Sequence, residues 1–513
     1  MPLSRRDFLK LGGLTAATLS ATSCSVLGRR LAVDELPSSL SAPMAVPVAA
    51  VNEPGADSVA QTPADATLRL LNRAGYGPRP GDLERARQMG LEAYLDEQLN
   101  PEGIEDTAAE LLIRNLNAYH QDVGHLVTQE PVDVALELGA ATLYRAVYSH
   151  RQLYEAMVEF WSDHFNIYLR KAPFMVFLKV LDDREAIRPH ALGKFRDLLN
   201  ASAHSPAMLV YLDNVRNVKG EPNENYAREL MELHTLGVQG GYTQQDVQEV
   251  ARALTGWGVG RRGRDEGQFR FDPDHHDTGA KQVLGHNLAA GRGEEDVLDV
   301  LEILVTHPGT ARFIATKLVR RFVADEPPAA LVERVAQVYT ETDGDVKAML
   351  RVIFLSEEFA SAPPKLKRPY SYVVSALRAL NAEVGQLRPF VHWLEALGQL
   401  PFHWPPPNGY PDVSAAWANN LLPRWNFALA LLTGELRGAA VPFDELLAAG
   451  RVNTPADALD LLAGLTLGRS LDEEAQALFS GYVGDGRLAD PRTQRRLREA
   501  AALLLASPAF QWT

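Results

Sequence analysis

Residues 223–237, which read NENYARELMELHTLG, decide the fold class. Glu224, Arg228 and Glu232 recur at intervals of four, which places them in one row along a helix. Gly237 follows the last periodic residue, as is typical of a helix stop. The same helical period recurs in most of the chain beyond the N-terminal region. The sequence therefore predicts an all-α protein with a large multi-helix, bundle-like core.

Two features refine this prediction. Helical periods cover residues 295–322, with a stop at Pro308, and residues 414–433. Residues 258–286 break the pattern, because they are rich in Gly, Asp and Arg, and residues 268–271 alternate as a strand does. We expect a loop over about residues 258–286 that leaves the helical core and can hold a short hairpin.

The composition excludes several functional classes. The 513 residues include 51 Lys and Arg against 65 Asp and Glu, a net charge of -14. An acidic surface of this kind argues against general binding to nucleic acid or to anionic lipid. The single cysteine, Cys24, excludes an internal disulfide and a thiolate zinc site.

The N-terminus resembles a twin-arginine export signal. Arg5 and Arg6 lie in the run SRRDFLK, residues 4–10, and a short, weakly apolar segment follows over residues 11–22. This order predicts a signal peptide over residues 1–23. The predicted partner is the twin-arginine export machinery, and the predicted location is the periplasm or the outer surface.

Cys24 follows the residues ATS, which resemble a lipoprotein cleavage box. A lipid on Cys24 and peptidase cleavage without lipidation are both open readings. Residues 24–62 contain recurring prolines among Ser, Ala and Val, as expected of a flexible tether. Residues 63–513 are then the helical domain, and membrane contact is expected through the lipid alone.

Several phrases together resemble a bacterial family known as domain of unknown function 1800, over residues of about 65–513. They are LLNRAGYG (70–77), FWSDHFN (160–166), the stretch 223–237, ALTGW (253–257), FRFDP (269–273), His276 with Asp277, and PPNGY (406–410). Tyr410 stands where such proteins often have Trp. The resemblance implies an exported, mostly helical protein, often encoded beside a second exported family of phosphatase-like ancestry. It implies no established reaction.

The helix predicted around His164 combines an apolar stripe with an acidic row. His164 lies on the stripe, while Glu155, Glu159 and Asp163 form the row at spacing four. Like charges on one helix face repel by a few tenths of a kcal/mol per pair unless cations answer them. A buried imidazole in such a setting can be a metal ligand or a proton shuttle. The alternative is a neutral core histidine beside a solvated acidic face.

Glu229 and Glu232 are candidate catalytic residues. They lie three residues apart, close enough to act together on one ion or one proton. Neither the HExxH spacing of zinc proteases nor a Glu-x-x-His pair occurs on this helix. The alternative is a structural salt-bridge ladder with Arg228.

The run DPDHHD, residues 272–277, is the densest cluster of possible metal ligands. His276 and Asp277 suit zinc, iron, manganese or calcium when partners arrive from helices. Lys281 can pair with Asp277 or bind an anionic substrate. The alternative is an Asp-Pro turn whose carboxylates cap nearby amides.

Trp404 and Tyr410 lie in the run FHWPPPNGYP, residues 402–411. Aromatic faces beside amide and proline suit stacking on a sugar or a peptide. The alternative is a rigid turn with its aromatic rings in the core.

Two functions from different classes follow. The first is an exported enzyme, metal-dependent or acid–base, in which three separated segments converge on one pocket with a divalent metal as a possible cofactor. Its predicted residues are His164, Glu229, Glu232, His276 and Asp277. The second is a non-catalytic binding or assembly partner of a co-encoded exported protein.

Overall fold

A computed structural model describes residues 65–260 and 266–513. The predicted signal peptide with Arg5 and Arg6, Cys24 and the predicted tether lie outside the described residues. Among the helices of the described ranges, none has the length and hydropathy that a membrane span requires.

The described residues form 25 α-helices, which confirms the predicted all-α class. The first twelve are α1 Ala66–Arg73, α2 Asp82–Met89, α3 Leu91–Leu99, α4 Thr107–Arg114, α5 Val123–Leu126, α6 Pro131–Tyr148, α7 Gln152–His164, α8 Met175–Leu181, α9 Phe195–Ala203, α10 Pro206–Tyr211, α11 Glu224–Glu229 and α12 Gln244–Ala253.

The remaining thirteen helices lie between Glu295 and Gln511. They are α13 Glu295–Thr306, α14 Pro308–Phe322, α15 Ala329–Glu341, α16 Val346–Phe354, α17 Glu357–Ala360, α18 Pro369–Ala379, α19 Arg388–Ala396, α20 Leu421–Thr433, α21 Phe443–Ala449, α22 Pro455–Leu467, α23 Glu473–Val483, α24 Pro491–Ala506 and α25 Pro508–Gln511.

Helix boundaries follow local chemistry. Pro308 separates α13 from α14, because proline lacks the N–H that would continue α13 but fits the first turn of the next helix. The predicted helix over residues 414–433 begins only at Leu421. Residues Ser414–Ala416 form a short 3₁₀ turn instead.

The predicted excursion loop contains strands, and it holds two hairpins where one was expected. Strand β1 (Trp257–Val259) pairs antiparallel with β2 (Phe269–Phe271), and β3 (Lys281–Val283) pairs with β4 (His286–Leu288). A third antiparallel pair, β5 (Glu383–Val384) with β6 (Ala439–Ala440), was not predicted. Two-residue strands are too short to show an alternating pattern in the sequence.

Helix α7 lies in the middle of the core. Ten of its 13 residues are buried and none is exposed, so it has no solvent face. A helix surrounded in this way must pair every polar side chain that it carries. The carboxylates of α7 are therefore the starting point for the functional site.

Two helices that pack near α7 end in π-helical turns. Residues Asp182–Ile187 continue α8, and residues Leu230–Thr235 continue α11. An extra residue in a turn re-aims the side chains that follow it, and such turns are frequent at functional sites. The first turn carries Asp183 and leads directly to Arg188, and the second carries His234.

Candidate functional site: a carboxylate cavity beside helix α7

The acidic row of α7 is answered by cations from distant parts of the chain. Glu155 accepts two hydrogen bonds of 3.0 Å from one nitrogen of Arg188. Glu159 is paired with Arg321 at 2.8 Å and with Arg368 at 2.5 Å. The solvated acidic face is therefore not what forms, since all three carboxylates of the row are mostly buried.

Glu159 is the most heavily bonded carboxylate of the row. Besides the two guanidinium groups, it accepts the hydroxyl of Tyr76 at 2.9 Å. Burial raises the pKa of Glu159, but Arg368, Arg321 and Tyr76 outweigh burial and leave that pKa below its usual range. Glu159 is therefore ionised at neutral pH.

Asp163 has the opposite electrostatic balance. The same terminal nitrogen of Arg368 that reaches Glu159 donates to Asp163 at 2.6 Å. Burial and the nearby charge of Glu159 nevertheless raise the pKa of Asp163 above its usual range, against the opposing effect of Arg368. One guanidinium thus serves two carboxylates whose pKa values move apart.

Asp183 faces α7 from the π-helical turn. One of its oxygens accepts Nε of Arg188 at 2.9 Å and the hydroxyl of Tyr119 at 2.8 Å. Burial raises the pKa of Asp183, but Arg188, Arg145 and Lys179 outweigh it and hold the pKa below its usual range. Its other oxygen, Oδ1, is buried and has no hydrogen-bond partner.

The four carboxylates, Glu155, Glu159, Asp163 and Asp183, line one cavity, which we call the carboxylate cavity. The volume open to the centre of a water molecule is about 30 Å³, enough for about two waters. Four buried polar atoms on its wall have no partner: Ser162 Oγ, Tyr370 Oη, Asp183 Oδ1 and one terminal nitrogen of Arg188. Buried polar groups are normally satisfied, so these four atoms indicate a place for water or for a polar ligand group.

The loop over residues 404–411 closes one side of this cavity. The side-chain amide of Asn166, just beyond α7, donates to the carbonyls of Trp404 and Pro406 at 2.9 and 2.8 Å. Gly409 has a φ of +71°, and a Cβ there would lie 2.0 Å from the carbonyl oxygen of Asp163. Only glycine allows so close an approach of loop and helix.

Tyr410 and Trp404 have different positions in this loop. Tyr410 lines the cavity, and its hydroxyl donates to the Leu400 carbonyl at 2.7 Å. Trp404 donates to Asn408 at 3.0 Å, and its ring lies 5.0 Å from that of Tyr410. Both rings belong to a small apolar cluster with Leu366 and Trp417. Their hydrogen-bonding groups thus contact neighbouring residues of the chain.

His164 lies on the other side of α7, in an aromatic environment. Its Nε2 donates a hydrogen bond to the carbonyl of His234 at 3.0 Å. This leaves Nδ1 to accept a hydrogen bond from the Lys317 ammonium at 2.9 Å. Burial, with Lys317 and His234 nearby, holds the pKa of His164 well below its usual range. His164 is therefore a neutral imidazole with both ring nitrogens bonded.

A comparison with protein families supplies the identification. The family described as "Protein of unknown function (DUF1800)" matches residues 69–512. The chain belongs to this family. No match was found among curated proteins or among solved structures.

Phrases that carried the resemblance to DUF1800 meet at α7. The phrase at 160–166 supplies Asp163, His164 and Asn166, and the phrase at 70–77 supplies Tyr76, which bonds Glu159. The phrase at 223–237 supplies the His234 carbonyl for His164, and the phrase at 406–410 packs on Asp163. Four of the seven phrases therefore meet at one structural centre.

Glu229 and Glu232 lie on the helix that bonds His164, but they belong to its partly exposed side. Burial and the neighbouring charge of Glu232 raise the pKa of Glu229. Glu232 accepts the Tyr242 hydroxyl at 3.3 Å. Neither carboxylate is among the residues that line the carboxylate cavity.

The loop residues His276, Asp277 and Lys281 bond to residues of the surrounding segment, 252–296. His276 Nδ1 donates to the Thr255 carbonyl at 2.8 Å, and Lys281 pairs with the buried Asp296 at 2.6 Å. Asp277 pairs with Arg252 at 2.9 Å, and this pair lowers the pKa of Asp277 to about 2. In the described parts of the chain, none of these side chains shares a hydrogen bond or ion pair with His164.

The predicted convergence on a metal finds no support in this arrangement. Within residues 65–260 and 266–513, no group of three or more His, Cys, Asp or Glu side chains is placed to hold a metal ion. Of the three predicted segments, two are joined by a hydrogen bond. Helix α7 and the π-helical turn of α11 meet where His164 bonds the His234 carbonyl.

The sequence indicated three of the four carboxylates that line the carboxylate cavity. The four-residue spacing of Glu155, Glu159 and Asp163 was visible, together with the requirement for answering cations. Asp183, Arg188 and Tyr370 carried no local signal, since they lie 20 or more residues from the row and only the fold brings them to it.

Proposed function

We propose that this DUF1800 protein is an exported enzyme of the cell envelope that catalyses an acid–base reaction at the carboxylate cavity. Export is supported by Arg5 and Arg6 within residues 4–10 and by the weakly apolar segment that follows. A lipid on Cys24 would tether the enzyme to a membrane through residues 25–62.

One observation carries the catalytic proposal. Asp163 and Asp183 line the same cavity, and their surroundings move their pKa values in opposite directions, up for Asp163 and down for Asp183. Two carboxyls with separated pKa values next to one solvent-sized space are the arrangement that general acid–base catalysis requires. Asp163 is then the acid and Asp183 the base.

Hydrolysis is the reaction that best fits this arrangement. Asp183 Oδ1 accepts a proton from a water molecule in the cavity, and the water oxygen attacks the substrate. Asp163 gives its proton to the leaving group, so the two carboxyls exchange protonation states during the reaction. The free nitrogen of Arg188 and the hydroxyls of Tyr370 and Ser162 orient the water and the developing charge.

The catalytic test uses neutral amides in place of the two carboxyls. Assayed on panels of chromogenic glycosides, esters and phosphoesters, Asp163→Asn and Asp183→Asn should each lower kcat by about 10²–10⁴-fold. The control is Asp197→Asn, on an exposed residue of α9, which should keep wild-type activity. Hydrolysis by the wild type that survives both substitutions would overturn the proposal.

The pH profile assigns the two roles separately. A base with a lowered pKa must be deprotonated, so activity should rise with pH on the acidic side as Asp183 loses its proton. An acid with a raised pKa must be protonated, so activity should fall on the alkaline side as Asp163 ionises. Residual activity of Asp183→Asn should lack the acidic limb, and that of Asp163→Asn the alkaline limb.

The export proposal has a test with an internal control. Replacing Arg5 and Arg6 by lysine keeps the charge but removes the arginine pair, so the protein should accumulate in the cytoplasm in cell fractionation. A second arginine pair, Arg29 and Arg30, lies beyond the predicted signal. The same replacement there should leave export unchanged. Normal export of the Arg5/Arg6 variant would refute a twin-arginine signal.

A further inference from the structure

An apolar patch covers the outer face of α20 and the adjoining end of α24. Its members are Leu421, Leu422, Trp425, Leu429 and Leu503, with exposed fractions of 43%, 63%, 49%, 46% and 52%. The indole nitrogen of Trp425 donates to the Ala506 carbonyl at 3.2 Å, which fixes the ring across the junction of the two helices. The exposed apolar side of α20 is thus joined to the end of α24 that carries Leu503.

The exposed side of α20 carries no charge. The exposed residues of α20 are Leu421, Leu422, Trp425, Asn426, Leu429 and Thr433, and none is charged. The one charged residue of the helix, Arg424, is fully buried. In a protein with a net charge of -14, an uncharged apolar surface marks an interaction site.

The predicted tether enters the folded body on the same group of helices. The side chain of Leu68, in α1, packs against Gly468 at the end of α22, where a Cβ would lie 2.6 Å away. Helix α22 packs on α24, which packs on α20. Residues 25–64 lie between Cys24 and this point, and under the tether proposed above a linker of that length would have a root-mean-square span of roughly 35 Å.

We infer that the apolar patch docks on the surface of a lipid bilayer. A face of Leu with one Trp suits the boundary between headgroups and acyl chains, where Trp is enriched. The acidic protein gains nothing from anionic headgroups, so docking depends on apolar burial and is insensitive to salt. This inference rests on the membrane tether of the proposed function, since a lipid on Cys24 would keep the folded body near a bilayer.

The test measures membrane binding by the patch in protein that carries no lipid on residue 24. Exported Cys24→Ala protein, which has no lipidation site, is floated with phosphatidylcholine vesicles at low and high salt. It should bind at both, and adding Leu422→Asp with Trp425→Asp should lower the partition coefficient by at least about tenfold. The matched control adds Leu111→Asp with Val132→Asp, two exposed apolar residues on α4 and α6, and should bind as the parent does.

Each outcome decides the inference. Equal partitioning of the patch variant and its parent overturns it, and so does a dimer in sedimentation that only the patch variant loses. Vesicle binding that occurs only with anionic lipid, or only at low salt, also overturns the inference. The mass of wild-type Cys24 tests the tether alone: an unmodified thiol refutes lipidation, while vesicle binding by the Cys24→Ala protein still supports the patch.

Discussion

Arg368→Met should lower the free energy of unfolding by about 3–5 kcal/mol, because it leaves two buried carboxyl groups, one of them the ionised Glu159, without their shared cation. One terminal nitrogen of Arg368 bonds both Glu159 and Asp163, and the side chain is only 5% exposed. Urea unfolding at pH 7 measures the loss. The deficit should shrink at pH 5, since carboxylates left unpaired in the folded state have raised pKa values and protonate more readily than in the unfolded chain.

The matched control is Arg388→Met, because Arg388 is 69% exposed and lies 3.6 Å from an equally exposed Asp133. That change should cost less than about 1 kcal/mol. A loss below about 1 kcal/mol for Arg368→Met, or a deficit that does not vary with pH, would show that Arg321 and Tyr76 suffice to hold Glu159.

Lys367→Met should stabilise the protein at pH 7 by about 1–4 kcal/mol. The Lys367 ammonium lies 3.8 Å from the centre of the Phe510 ring and has no ion-pair partner within the described residues. Burial and the nearby Arg424 lower the pKa of Lys367 to about 7. A base whose folded pKa lies below its unfolded value destabilises the folded state at low pH, and this cost disappears as the pH rises through the unfolded value.

The free energies of unfolding of Lys367→Met and of the wild type should therefore converge as the pH rises from about 7 to about 10. Urea unfolding across that range is the measurement. Lys171→Met serves as the control, since Lys171 is paired with Asp213 at 3.0 Å and is 38% exposed. It should change stability by less than about 1 kcal/mol and add no pH dependence of this kind. A constant offset for Lys367→Met across the range would mean that Lys367 keeps its ordinary pKa.

The secondary structure could be predicted from sequence wherever the signal was local. Helical spacing identified α7 and α11. The predicted stop at Pro308 lies at the boundary between α13 and α14, and the alternation at residues 268–271 corresponds to β2. The π-helical turns carried no such signal, since they differ from α-helix by one residue and depend on what packs against them.

The site shows the same division between local and distant information. The sequence placed His164 on an apolar stripe, and the structure makes it a buried, neutral imidazole. It could not show that Arg321 and Arg368 answer Glu159, because the pairs are separated by 162 and 209 residues. A single sequence states which groups need partners, but only the fold selects the partners.

The helix without a solvent face has a consequence for the order of folding and transport. Its contacts join residues 83 apart at Tyr76 and 209 apart at Arg368, and contacts of such sequence separation form slowly. A chain threaded unfolded through a membrane would have to assemble this centre outside the cell, in several steps and without cytoplasmic chaperones. Under the proposed twin-arginine route the chain crosses the membrane after α7 has acquired its partners, so the centre leaves the cell already assembled.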